Sequence, residues 1–317
     1  MQVPAHVEYE RATSVEHALE LLARFGPEAR VLAGGHSLIP MMKLRLAQPE
    51  TLVDINGLDE LSYLNVTGGE LRIGALTRHA QLLDSAVAGE LFAILHDAEK
   101  VIADPIVRNW GTIGGSLCQA DPSEDLSATF AALKATMMIR GPQGIRAVPA
   151  RDFHTAPYET VVAPGEILTE IRIAIGATRG EGARGEGARG GQARGGQPRG
   201  GQPRGSAYEK VGRRVGDWPV GAAGAVLWLR GDTIAEAGIG LSAVGARHFA
   251  AAEAEEFLRG TAATPEAFDR AGQIAAEHCR PTSDQRGPAD YKRHLARELT
   301  TRALRRALLR ATADLAA

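Results

Sequence analysis

The sequence predicts an α+β fold: one larger unit of mixed strands and helices, then a small C-terminal domain of antiparallel sheet and helices. Three observations lead there. Short segments of strand and helix periodicity are interleaved through the first 178 residues, yet several strands pair through tight glycine turns, which favours α+β over a doubly wound parallel sheet. A five-residue repeat from Arg179 to Gly205 breaks the composition. Beyond it, strands come first and helices last. The expected organisation is therefore 1–178, a linker or inserted loop at 179–205, and 206–317.

In chain order, Thr13 and Glu16 suggest a capping box opening a helix that runs to Arg24 and stops at Gly26. Val31-Leu32-Ala33 reads as a short buried strand feeding a double-glycine turn. Tyr63 to Ala75 reads as a hairpin turning at Gly68-Gly69, and Met137 to Val148 as another turning at residues 141–144. Leu91 to Val101 and Leu126 to Ala135 are apolar helices, and Ile167 to Ile175 alternates like a half-buried strand. After the repeat, Ala207 to Val211 and Val226 to Ala243 are strands, the latter turning at Gly231-Asp232. From Ala251 the pattern is helical, with Pro265 and Pro288 as helix starts.

Composition narrows the functional classes. The 317 residues carry 36 Lys+Arg against 38 Asp+Glu, a net −2, with 44% apolar residues, an ordinary globular balance. No apolar run approaches the roughly 18 residues of a membrane span, and the opening MQVPAHVEYERATS lacks the basic and apolar regions of a secretory signal. Two cysteines, Cys118 and Cys279, make neither a disulfide framework nor a structural zinc site, so a cytoplasmic location is expected, with Cys118 as a small buried residue. The repeat holds six Arg and two Glu, so it carries +4 and leaves −6 on the rest of the chain. It has no large aliphatic or aromatic side chain, and nothing in it offsets the entropy of ordering. A flexible solvated linker is expected, and nucleic-acid binding is not, because the repeat lacks aromatic residues for stacking. The G-x-G-x-x-G at Gly180 to Gly185 lies inside this repeat and opens no helix, so it is not a dinucleotide fingerprint. Walker A, HExxH and G-x-S-x-G patterns are missing, and no metal site is expected.

Two glycine loops are the candidate chemistry: Ala33-Gly34-Gly35-His36-Ser37-Leu38 and Gly111-Thr112-Ile113-Gly114-Gly115-Ser116. Glycine lets backbone amides approach a phosphate with no Cβ in the way, and Ser37, Thr112 and Ser116 add hydroxyls. Two such loops would hold a diphosphate between them; each alone also fits an ordinary tight turn. Ala120-Asp121-Pro122-Ser123-Glu124-Asp125 follows the second loop, with three carboxylates in five residues. They suit the hydroxyls of a ribose or ribityl chain, or a cap in which Asp125 starts the next helix.

The segments AGGHSLIPMMKLRL, RNWGTIGGSLCQADPSEDL, GEILTEIRI, SAYEKVGRRVGDWP and PTSDQRGPADYKRHL, in that order, resemble the FAD-binding medium subunits of molybdenum hydroxylases, the family of the carbon monoxide dehydrogenase medium chain and the xanthine dehydrogenase FAD domain. The resemblance implies a two-lobed FAD-binding domain of the vanillyl-alcohol oxidase type. It implies FAD as cofactor, with Leu32, Ala33, Gly34, Gly35, His36, Ser37 and Leu38 at the first diphosphate loop and Thr112, Ile113, Gly114, Gly115 and Ser116 at the second. Ala120, Asp121 and Asp125 follow as hydroxyl-contacting positions, Ile102, Ala103 and Leu168 lie near the flavin ring, Lys210 is a basic residue beside it, and Trp218 is the aromatic at the isoalloxazine. Ser116 stands where many members have Asn, and Trp218 where many have Tyr. His36 is expected to stabilise its loop.

The resemblance also implies a division of labour. Substrate is hydroxylated at molybdenum on a large molybdopterin subunit; electrons pass through [2Fe–2S] clusters on a small subunit to FAD here, then to an external acceptor, in a dimer of heterotrimers. No general base or nucleophile is then expected in this chain. The competing reading is a stand-alone flavin-dependent oxidase. The basic run Tyr291 to Arg310, with seven Lys/Arg against one Glu, fits a solvated helix face or a partner-docking one.

Overall fold

A computed structural model describes residues 3–176 and 204–316. The expected linker, its repeat and its G-x-G-x-x-G lie outside the described residues, except for Arg204 and Gly205.

Strands β1 (Glu8–Arg11), β2 (Ala29–Leu32) and β3 (Thr51–Asp54) form a parallel sheet in the order β1-β3-β2. This parallel layer was not expected, because strands of four residues carry almost no readable alternation. Helix α1 (Val15–Phe25) buries Val15, Ala18, Leu21 and Leu22 on one face. Its cap is Ser14, which accepts from the His17 amide, while Thr13 Oγ1 meets His17 Nδ1 at 3.0 Å. The Thr13–Glu16 box therefore does not form. The helix ends at Gly26 as expected. Helix α2 (Leu38–Lys43) leads from β2 towards β3.

The hairpin β4 (Leu64–Thr67) and β5 (Glu70–Gly74) follows. Then come the helices α3 (His79–Leu83), α4 (Ala86–Leu91), α5 (Ala93–Val101), α6 (Pro105–Trp110), α7 (Ile113–Gln119) and α8 (Asp125–Ala132). A second hairpin, β6 (Thr136–Gly141) and β7 (Gly144–Pro149), is followed by α9 (Ala150–Phe153), the two-stranded β8 (His154–Ala156) and β9 (Glu159–Thr160), and β10 (Ile167–Ala174). The central sheet is antiparallel throughout, ordered β4-β5-β10-β6-β7, with both hairpins and β10 where the sequence puts them.

The C-terminal sheet is β11 (Arg204–Gly212), β12 (Pro219–Arg230) and β13 (Thr233–Ser242), antiparallel in that order. It begins two residues inside the expected linker. Helices α10 (Ala252–Leu258), α11 (Pro265–His278) and α12 (Ala289–Ala316) complete the chain. Thr264 caps α11, with Pro265 in its first turn.

The C-terminal sheet is covered on both faces, which explains why every residue of β12 except Arg230 is buried. On one face Tyr208, Ala222, Val226 and Trp228 join the core of Leu71, Ile94, Phe130 and Ile171. On the other, Ala223, Leu227 and Ile239 pack with Phe268, Leu299 and Leu304. Helix α8 lies on β13 through Gly238 and Gly240, where a Cβ would fall 1.9 and 1.8 Å from the Ala132 and Ala128 carbonyl oxygens. The two segments thus share one core across the intervening stretch. The basic α12 is only partly a solvated face. Lys292 is buried and donates to Asp284 at 2.7 Å, and Arg306 and Arg310 reach Asp97 on α5 at 3.1 and 2.6 Å. Among the described residues no helix is long and apolar enough to cross a membrane.

Candidate functional site

The two glycine loops, far apart in sequence, close on each other in space. Gly34 lies so near the second loop's entrance that a Cβ there would stand 2.2 Å from the Trp110 carbonyl oxygen and 2.9 Å from Gly111 Cα. Asn56 and Arg78 brace the approach. Asn56 Nδ2 donates to the Ala33 carbonyl, Arg78 Nη2 donates to Asn56 Oδ1 at 2.9 Å, and Arg78 Nη1 donates to the Trp110 carbonyl. Sequence reading missed both residues, since neither lies in a motif that announces its role.

The cleft between the loops has a volume of about 1080 Å³. Of the predicted positions, Leu32, Ala33, Gly34, Gly35, His36, Ser37 and Leu38 line it from β2 and the start of α2. Thr112, Gly114, Gly115 and Ser116 line it from α7, Ile102 and Ala103 from the end of α5, Asp125 from α8, Leu168 from β10, Lys210 from β11, and Trp218 from the turn before β12. Three positions do not line the cleft. Ile113 is wholly buried in the core. Ala120 is the left-handed C-cap of α7, its carbonyl taken by the Tyr158 amide. Asp121 accepts from the Ser123 amide and from Tyr158 Oη. Both shape the turn between α7 and α8.

The loops differ in their backbone state. In the first, Gly35 adopts φ 73°, and no acceptor among the described residues meets the amides of Gly34, Gly35, His36 and Ser37. His36 is exposed, with Nδ1 2.8 Å from the Gly34 carbonyl oxygen, the loop-stabilising role expected of it. In the second, the amides from Ile113 to Ser116 are taken: Ile113 by Thr77 O, Gly114 by Ala75 O, Gly115 by Thr112 Oγ1 and Ser116 by Thr112 O, at 2.8–3.1 Å. A Cβ on Gly114 would fall 2.6 Å from Ala75 Cβ. The second glycine pair is therefore demanded by packing, not by exposed amides.

The cleft floor is charged and buried. Asp125 accepts from Lys210 Nζ and Tyr208 Oη, both at 2.7 Å. Burial pushes its carboxyl above the usual range, opposed by Lys210 and Tyr208. Lys210 also donates to the Val101 carbonyl, which ties β11 to α5. The cap of α8 is Glu124, not Asp125: its carboxylate accepts from the Ser127 amide, and burial pushes its carboxyl up to about 7. Behind the second loop, His79 Nε2 lies 2.9 Å from Ser116 Oγ, and its Nδ1 3.0 Å from Glu99. Tyr208, His79 and Glu99 were not expected, and Glu124 was expected only as one of three carboxylates for ligand hydroxyls, not as the cap. Their signal is burial of a titratable group, which sequence does not show. Cys118 lines the cleft and is exposed, contrary to expectation. At the mouth, Trp218 keeps 41% of its surface exposed.

The donor set fits a dinucleotide diphosphate: four open amides on one wall, hydroxyls of Thr112 and Ser116 on the other, and a carboxylate below for sugar-alcohol hydroxyls.

Comparison with known proteins gives the same direction. Residues 5–174 match the family described as FAD binding domain in molybdopterin dehydrogenase, and residues 206–307 the CO dehydrogenase flavoprotein C-terminal domain. The carbon monoxide dehydrogenase medium chain of Afipia carboxidovorans is 38% identical over 98% of this chain and 99% of its own length. The medium chain from Hydrogenophaga pseudoflava is 37% identical over 97% and 99%. The crystal structure of cyanide-inactivated Cu,Mo-CO dehydrogenase superposes with a TM-score of 0.86 at 38% identity, covering 97% of this chain and 99% of that one. The chain therefore belongs to the family of FAD-binding medium subunits of carbon monoxide dehydrogenase-like molybdenum hydroxylases, and is the flavoprotein component of an oxidoreductase.

Proposed function

We propose that this chain receives electrons from [2Fe–2S] clusters on a small partner subunit and passes them through FAD to an external acceptor, while a large molybdopterin subunit oxidises the substrate. The assembly is a cytoplasmic dimer of heterotrimers, the FAD-binding unit is two-lobed in the vanillyl-alcohol oxidase manner, and a linker that ends where β11 begins at Arg204 joins it to the C-terminal unit. The observation that carries the reading is the convergence of both glycine loops on one cleft with the Asp125–Lys210 pair at its floor.

FAD would supply the redox chemistry when bound. This chain's residues bind and orient. The open amides of Gly34 to Ser37 and the hydroxyls of Thr112 and Ser116 grip the diphosphate. Asp125 keeps free lone pairs for ribityl hydroxyls while Lys210 and Tyr208 hold its charge in place. Leu168, Ile102 and Ala103 would give an apolar surface for the flavin ring, and the half-exposed Trp218 at the mouth would offer it an aromatic neighbour.

Tagged protein isolated from its native cells tests the proposal. Co-elution with two further subunits, flavin absorbance and iron–sulfur absorbance is expected. Elution as a single chain that reduces oxygen with its own substrate would establish the stand-alone oxidase instead.

A further inference from the structure

A line of three side chains runs from the cleft wall into the core. Ser116 on α7 lines the cleft, and its Oγ lies 2.9 Å from His79 Nε2. His79 Nδ1 lies 3.1 and 3.0 Å from the two oxygens of Glu99. His79 is 2% exposed and Glu99 0%. Among the described residues, His79 is the donor that meets the Glu99 carboxylate, and Ser116 Oγ has no second partner. The charged groups facing the imidazole are Glu99 from α5, Glu124 and Asp125 from the head of α8 and Arg108 from α6; Asp125 also acts on Glu99.

A buried carboxylate served by one ring nitrogen holds a proton on that nitrogen, Nδ1. Nε2 then decides what Ser116 shows to the cleft. With a proton on Nε2, the ring donates to Oγ and the hydroxyl hydrogen turns outwards as a donor. With Nε2 bare, the ring takes the hydroxyl hydrogen and Ser116 presents only lone pairs, which repel an anion. The choice matters because the amides of Ile113, Gly114, Gly115 and Ser116 are all taken, so around Ser116 this wall meets a diphosphate with its hydroxyl and not with backbone.

We propose that Glu99 and His79 are positioning residues that set the hydrogen-bond polarity of Ser116 towards the diphosphate, so that the cleft takes up its dinucleotide together with one proton held on His79. This rests on the reading of the cleft as the FAD site. The sign of the resulting pH dependence follows from linkage. Burial disfavours the imidazolium, but the charge and hydrogen bond of Glu99 outweigh it and hold His79 above the ordinary histidine value. The dyad titrates as a unit. Affinity is highest below that titration and falls as pH rises through it, and the bound dinucleotide holds the proton more tightly in return. Glu124, with its carboxyl near 7, adds negative charge to the same cleft in the same range, so the test must separate the two.

The full chain stripped of flavin is titrated with FAD and, separately, with riboflavin, which lacks the phosphates, using quenching of flavin fluorescence from about pH 6 to 9. Wild type is expected to lose about tenfold in FAD affinity across the range, the value of one charged hydrogen bond, with riboflavin nearly unchanged. Ser116→Asn, which supplies a permanent amide donor and leaves the dyad intact, is expected to give a flatter profile, so that its affinity relative to the chain that keeps Ser116 rises with pH. His79→Gln flattens it as well. In a Glu124→Gln background, the high-pH gap between the chain that keeps Ser116 and the one that also carries Ser116→Asn is expected to persist. Superimposable wild-type and Ser116→Asn profiles, an equal slope for riboflavin, or loss of that gap in the Glu124→Gln background would overturn the inference while leaving the FAD site standing. Failure of FAD to bind at any pH would instead strike the FAD-site reading itself.

Discussion

Gly34-Gly35 and Gly114-Gly115 face each other across one cleft, and their backbones are in opposite states. The first pair sits in a loop with four open amides and one residue at positive φ. The second sits at the head of α7 with both glycine amides satisfied and Gly114 pressed against Ala75. A double glycine in sequence thus stands for two different physical demands: conformational freedom with donors left open, or the absence of a Cβ where two backbones touch. One wall offers open backbone amides; the other is a finished piece of core that offers hydroxyls and the charged floor behind it.

If that contrast holds, damage to the second wall falls on stability and damage to the first on binding. The largest effect belongs to the floor. Lys210→Met leaves Asp125 buried without its counter-charge and is expected to cost about 3–5 kcal/mol in urea unfolding, less in acid, where a protonated Asp125 needs no partner. Next is Glu124. Its carboxyl is raised from 4.5 to about 7, so the stability of the protonated form is present at low pH and lost as pH climbs through that window. The loss is about 3 kcal/mol, and Glu124→Gln should flatten the melting temperature over the same range. Gly114→Val forces a side chain into Ala75 and should cost about 1–3 kcal/mol in the flavin-free chain. Gly35→Ala is the smallest, about 1–2 kcal/mol for a left-handed alanine, with its main effect on FAD affinity read by fluorescence quenching. A Gly114→Val chain of undiminished stability that binds FAD poorly would erase the distinction between the walls.

The sequence carried the periodic and punctuated parts of this molecule well. The hairpins turning at Gly68-Gly69 and at residues 141–144, the strand at 167–174 and the helix opening at Pro265 are all where turn chemistry and alternation put them. The parallel β1-β3-β2 layer was not legible, because four-residue strands hold too few positions to show a period. Capping was misread by one residue twice, at Ser14 for Thr13 and at Glu124 for Asp125, since adjacent polar residues offer equal local chemistry and only the packed backbone chooses between them. Most expected cleft residues do line the cleft, as each sits in a motif of several residues. The braces and the buried dyad were invisible for the opposite reason: Asn56, Arg78, His79 and Glu99 act through pairings between distant elements, and a single residue in a sequence does not reveal its partner.

The Asp125–Lys210 pair joins residues on either side of the 177–203 stretch. A genetic crossover within that stretch would marry the carboxylate of one parent to the ammonium of another, so hybrid proteins should assemble a working floor only where both parents keep the same pair at the same depth. A protease nick there leaves this bond, and the shared core around it, to hold the two fragments together.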